Sequence, residues 1–229
     1  MWRYLVYVLF LVLFVLTACS SPMPEPDTNT EYTYLALGDS YTIGERVTAD
    51  QRWGVQLAQL LRTEGIAMAD PVIIARTGWT TGELLTGINN AQPTSNYDLV
   101  SLLIGVNNQY RGQSLDVYRS EFRQLVQWAI KFGKSEANRV IILSVPDWGV
   151  TPFAQGRNQE QIAQEIDAFN AVGREEALKA GVTFIDITPL SRQAANNLSY
   201  IADDNLHFSG KMYRTWAEMT MPAVRQILK

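Results

Sequence analysis

Cysteine and histidine each occur once among the 229 residues, as Cys19 and His207. A single cysteine excludes an intrachain disulfide, and one of each argues against a Cys/His zinc site. Basic clusters are absent as well: 19 Lys and Arg face 23 Asp and Glu, a formal net charge of −4. Such a surface offers no electrostatic footprint for nucleic acid. The glycine patterns of nucleotide sites are missing too, since neither Gly-x-x-x-x-Gly-Lys nor Gly-x-Gly-x-x-Gly occurs. No EF-hand loop is present. The expectation is a protein without metal, cofactor or nucleic-acid partner.

Long apolar runs are equally scarce. The one that exists lies in "MWRYLVYVLFLVLFVLTAC", with Arg3 as its only charge and small residues just before Cys19. That is the layout of a secretory signal peptide. "LTAC", residues 16–19, resembles a bacterial lipobox, in which cleavage precedes a cysteine that becomes lipidated. The alternative is an uncleaved membrane anchor, because the run approaches the length that spans a bilayer. Both readings hold the rest of the chain outside the cytoplasm, tied to a membrane. In the first, residues 1–18 are the lipoprotein signal, 19–31 the lipidated cysteine and a flexible tether, and 32–229 the folded domain. Ser20, after Cys19, suits sorting to an outer membrane, facing the periplasm, in a host that has two membranes. "SSPMPEPDTNTE", residues 20–31, has no apolar period and reads as a spacer reaching on the order of 40 Å.

Beyond it, strand-like and helix-like segments alternate. "YTYLAL" (32–37), "PVIIA" (71–75), "DLVSLLIG" (98–105), "RVIILSV" (139–145) and "VTFIDI" (182–187) are short and apolar, as strands buried on both faces of a parallel sheet are. Leu115, Tyr118, Phe122, Leu125, Ala129 and Phe132 recur at helical spacing before Gly133. Ile162, Ile166, Phe169 and Val172 repeat the pattern in a helix ending near Gly181, and Met212, Trp216, Met219 and Ala223 mark a last one. These stripes read as core. The alternation predicts a three-layer α/β/α sandwich around a doubly wound, mainly parallel five-stranded sheet.

Such sheets carry their sites on loops at the carboxyl ends of the strands. The first predicted strand runs into Gly38-Asp39-Ser40, which suits an anchored nucleophile or an ordinary surface turn. "RTGWTTGE" follows the second and contains Gly78; "GVNNQYRG" follows the third and contains Gly105, Asn107 and Asn108. "IADDNLHFSG" carries Asp203, Asp204 and His207 just before the final helix. Acyl transfer uses such parts. A serine hydroxyl needs a neighbouring base to take its proton, and histidine titrates near operating pH. A carboxylate on the other ring nitrogen orients the imidazole, and N–H donors stabilise the oxyanion. The Gly-x-Ser-x-Gly elbow of α/β-hydrolases is not met, because Thr42 stands where its last glycine belongs.

"GDS", the glycine after the second strand, "GVNN" and "DNLH" together resemble the four blocks of the SGNH, or GDSL, hydrolases, in that family's order over nearly the whole chain after the tether. The resemblance implies a flavodoxin-like SGNH fold and a serine esterase or acylhydrolase needing no metal or cofactor. It implies Ser40 as nucleophile and oxyanion donor, Gly78 and Asn107 as further oxyanion donors, His207 as general base, and Asp204 as its orienting acid. Two positions depart from the pattern. Asn108 replaces the usual Asp of the third block, implying altered local hydrogen bonding with activity retained, and Tyr41 follows the serine where the family name has leucine.

Structural readings stand beside these. A lone histidine is commonly structural, but any Ser–His mechanism here must use His207. Asn107 also suits a strand-end cap, Gly78 a turn with positive φ, and Asp203 is an alternative partner for His207. Trp79, Tyr110 and Trp148 follow strand ends and serve either as pocket wall or as packing, and residues 144–153 border the pocket. The family acts on small esters and on acylated sugars. An O-acetyl esterase or transferase on cell-envelope glycans uses the same residues. A catalytically idle lipoprotein that binds glycan or a partner is the reading from another class.

Overall fold

The five apolar segments pair side by side, each in parallel with its neighbours. The computed structural model describes residues 31–228, so the signal segment, Cys19 and most of the tether lie outside the described residues. The strands are β1 (Tyr34–Gly38), β2 (Val72–Ala75), β3 (Leu99–Leu103), β4 (Val140–Leu143) and β5 (Thr183–Ile185), in the order β2-β1-β3-β4-β5. The helices are α1 (Ser40–Ile43), α2 (Trp53–Thr63), α3 (Thr81–Ala91), α4 (Val106–Tyr110), α5 (Leu115–Phe132), α6 (Gln159–Lys179), α7 (Thr188–Arg192) and α8 (Gly210–Ile227).

Side chains alternate across the pleat and so build two cores. Tyr34 and Ala36 of β1 pack with Trp53 and Leu57 of α2 and with Trp216 and Val224 of α8. Leu35 and Leu37, on the opposite face, pack with Leu84 of α3, Phe122 and Leu125 of α5, and Phe169 of α6. The result is the α/β/α sandwich that the alternation predicts. Burying each large apolar side chain contributes roughly 1.5–3 kcal/mol, and β1, β3 and β4 are buried throughout. Among the described residues no helix is long and apolar enough to cross a membrane.

Several expectations are corrected. Leu115 and Met219, placed in core stripes, are exposed. Leu115 is the first residue of α5, at the helix end. The buried face of α8 runs through Met212, Tyr213, Trp216, Ala217 and Thr220, which leaves Met219 off its edge. The strands also stop short of the apolar runs. Ile104 and Gly105 lie between β3 and α4, with Gly105 capping the helix, and Val145, past β4, is held by Asn170 through both its N–H (2.7 Å) and its carbonyl (3.0 Å).

The order places a switch point between β1 and β3, because the chain leaves β1 towards β2 on one side and then crosses to β3 on the other. Crevices at the carboxyl ends of such a pair are where doubly wound sheets bind ligands.

Candidate active site

β1 ends at Gly38, where any Cβ would collide with Thr42 Oγ1 and the Leu103 carbonyl. Only glycine lets the chain turn this tightly beside β3. Asp39 then caps the single turn of α1, its Oδ1 accepting from the Tyr41 N–H at 3.0 Å, so that Ser40 is the first helical residue. Asp39 is fully buried, and its Oδ2 has no partner among the described residues. Burial pushes its carboxyl up to about 7, against the pull of the Tyr41 N–H.

His207 and Asp204 come from one loop ahead of α8. Asp204 Oδ1 accepts from the backbone N–H of Leu206 at 3.0 Å and of His207 at 2.9 Å, which folds the turn. Its Oδ2 meets His207 Nδ1 at 2.5 Å. A carboxylate only accepts, so Nδ1 donates here, and in the neutral ring the lone pair is on Nε2. Partial burial raises Asp204, but the hydrogen bonds from the His207 ring and the two backbone N–H groups prevail and hold it below the ordinary carboxylate range. Arg46 Nε lies 3.7 Å from the same oxygen. Asp203 is exposed, and the acid on the ring is Asp204.

Asn107 lies in α4, a short helix where the sequence suggested a loop. Its Nδ2 donates to the Trp79 carbonyl at 2.9 Å, which fixes the amide and leaves its second N–H for another acceptor. Gly78, with φ +85°, turns the chain just ahead of Trp79, and its carbonyl accepts from Arg111 Nη2 at 2.6 Å. Asn108 is fully buried: Oδ1 accepts from the Thr81 N–H at 3.1 Å, and Nδ2 donates to Thr81 Oγ1 (2.6 Å) and Gln113 Oε1 (2.8 Å). Thr81 Oγ1 in turn donates to the Glu121 carboxylate. An amide serves here as both donor and acceptor, which an aspartate could not.

Ser40, Asn107 and His207 line one cavity of about 170 Å³, together with Tyr41, Val106, Tyr110, Trp148, Phe153 and Leu206. Ser40 and His207 are both buried. Among the described residues Ser40 Oγ makes no hydrogen bond to His207; catalytic contacts of this kind commonly tighten once substrate is bound. Gly78 does not line the cavity but adjoins it through Trp79 and the Asn107 amide. Of the three aromatics left between wall and packing, Tyr110 and Trp148 form wall, whereas Trp79 packs over Gly87. Trp148 is held in place: its Nε1 donates to Gln109 Oε1 at 2.8 Å, and Gln109 Nε2 donates to Glu165 at 2.7 Å. Val106 and Leu206, whose neighbours in the chain are the polar Asn107 and His207, carry no local signal of a place at the cavity. Among the described residues no group of three or more His, Cys, Asp or Glu could hold a metal ion.

No curated protein matches the sequence. Solved structures do match in fold. An acetylxylan esterase, Axe2 from Geobacillus stearothermophilus, is 19% identical with a TM-score of 0.64, over 84% of this chain and 94% of its own. The acetyl xylan esterase AlAXEase is 17% identical with a TM-score of 0.67, over 84% of this chain and 99% of its own. The psychrotrophic esterase EstA from Pseudoalteromonas sp., in a structure inhibited by monoethylphosphonate, is 14% identical with a TM-score of 0.63, over 86% of this chain and 98% of its own. The model of the GDSL-like lipase/acylhydrolase family matches residues 36–215, from β1 into α8. The chain therefore belongs to the GDSL-like lipase/acylhydrolase family.

Proposed function

We propose that this protein is a serine esterase that cleaves carboxylic esters through an acyl-enzyme on Ser40, outside the cytoplasm, held to a membrane by lipid on Cys19. One observation carries the reading: the Asp204–His207 pair brings an imidazole to the cavity that Ser40 and Asn107 also line.

In the proposed cycle His207 Nε2 takes the Ser40 proton as Oγ bonds to the ester carbonyl carbon. The carbonyl oxygen becomes an oxyanion, met by the second N–H of the Asn107 amide and, as the family resemblance implies, by the backbone N–H groups of Ser40 and Gly78. Losing one such donor typically costs about 2.7–4 kcal/mol of barrier. The tetrahedral adduct collapses, the bond to the alcohol oxygen breaks, and the imidazolium protonates that oxygen. Water then yields a proton to His207 and attacks the acyl carbon. Ser40 leaves with that proton and the acid is released.

A cavity of about 170 Å³ suits a short acyl group better than a long chain. The acetyl ester activity named for two of the structural neighbours supports a second reading, hydrolysis or transfer of acetyl groups on envelope glycans. Products formed with and without a sugar acceptor separate hydrolysis from transfer.

The experiment is labelling with a fluorophosphonate in whole cells, followed by mass mapping. The modified residue is expected to be Ser40, in the membrane fraction, with labelling abolished in Ser40→Ala and the label moved to the soluble fraction when residues 1–19 are replaced by a cleavable, non-lipidated export leader. A Ser40→Ala protein that still hydrolyses short aryl esters at the parental rate overturns the catalytic reading.

A further inference from the structure

One charged side chain at the proposed site has no part in the cycle above. Arg157 follows the loop that supplies Trp148 and Phe153. Its guanidinium carbon lies 5.5 Å from the ring centre of Tyr110, 5.4 Å from that of Trp148 and 5.1 Å from that of Phe153. These three rings line the cavity with Ser40 and His207. The cation is exposed and lies against the three rings of the aromatic wall, without itself lining the cavity.

Its hydrogen-bonding capacity is almost unspent. A guanidinium has five N–H donors, and Arg157 makes one long bond, 3.5 Å to the Tyr110 hydroxyl. Among the described residues no carboxylate approaches it within 4.0 Å. The other arginines near the site are engaged: Arg46 faces Asp204 at 3.7 Å, and Arg111 pairs with Glu83 at 3.2 Å. The chain as a whole is net −4, so an anionic substrate needs a local cation to hold it.

We propose that Arg157 is an anion-recognising residue and that the site takes esters bearing a carboxylate or phosphate group a few bonds from the reacting carbonyl. This rests on the esterase reading of the same cavity. The planar fork of arginine matches either anion with two parallel hydrogen bonds. The three rings hold the fork beside the cavity they line while leaving its donors free.

The test compares 4-acetoxybenzoate and 4-acetoxyphenyl phosphate, charged on the leaving group, and a mono-aryl succinate, charged on the acyl side, each with a neutral isostere. The readout is the ratio of kcat/KM for the anionic ester to that for its neutral partner. In Arg157→Gln this ratio is expected to fall about tenfold or more on one side of the ester, as loss of a charge-assisted contact implies. Arg157→Lys is expected to restore part of it, and added salt to lower it in the parent. If Arg157 only shields the rings from water, both esters lose alike and the ratio stays put, which overturns the proposal.

Calorimetric binding of the same esters to Ser40→Ala needs no turnover. Preference for the anionic ester there, lost in Ser40→Ala/Arg157→Gln, supports the proposal even if the parent hydrolyses neither, an outcome that would overturn only the esterase reading. Equal binding of charged and neutral esters overturns the anion proposal and leaves the esterase reading intact.

Discussion

The turn after β1 and the loop before α8 each set an aspartate beside a candidate reacting group, and they treat it in opposite ways. Asp204 spends both oxygens, one on the backbone N–H groups of Leu206 and His207 and one on the imidazole, and is held as an anion. Asp39 spends one oxygen on the Tyr41 N–H and leaves the other buried without a partner among the described residues, so its proton is held up to about pH 7. The two residues share a side chain and differ in surroundings. The Asp204 side thus carries its negative charge across the neutral range, whereas the Ser40 side gains one only as the pH rises through about 7.

The sharpest way to break this comparison is Asp204→Asn. The amide oxygen can still fold the turn, but its NH2 cannot accept from Nδ1–H, so the ring is driven to the wrong tautomer. A loss of about 10³- to 10⁴-fold in kcat is expected on a short aryl ester, and a loss under tenfold would show that Asp204 shapes the loop without setting the tautomer. Asp39→Asn probes the other side through stability. The folded pKa of Asp39 lies above that of an unfolded aspartate, so its contribution is present below about pH 4 and fades as the pH rises to about 7. That contribution amounts to about 4 kcal/mol at most, and melting curves of Asp39→Asn are expected to lose this decline. Asp204 has the opposite sign: its contribution is present above the ordinary carboxylate pKa and disappears as the pH falls through its lowered value. The smallest effect belongs to Asn108→Asp, which restores the usual family residue. It places a second carboxylate near Glu121 and strands Gln113 Oε1 without its donor. A cost of about 1–3 kcal/mol in urea unfolding is expected, with catalysis little changed.

Much of the fold could be read from β-branched apolar runs, because a strand buried on both faces admits little else. Helix α5 was legible from the helical spacing of its apolar residues, Tyr118 to Phe132, before the stop at Gly133. Helices α2 and α3 were not read from the sequence, although Thr80-x-x-Glu83 is a capping box that marks the start of α3. The site was legible as four short polar blocks at strand ends. Its walls were not: whether Tyr110, Trp148 or Trp79 faces the cavity depends on helix α4 and on the Gln109–Trp148 bond, which no local pattern encodes. The buried, unpartnered oxygen of Asp39 had no local signal either, since burial is set by packing between residues far apart in the chain.

The strand order carries one further consequence, for the timing of activity. The hydroxyl and the amide stand at residues 40 and 107, whereas the imidazole arrives at residue 207, and α8 must dock beside α2 to seat it. A growing or half-threaded polypeptide would hold its nucleophile long before it held a base. Under the proposed mechanism, reactivity thus waits for the last helix to dock.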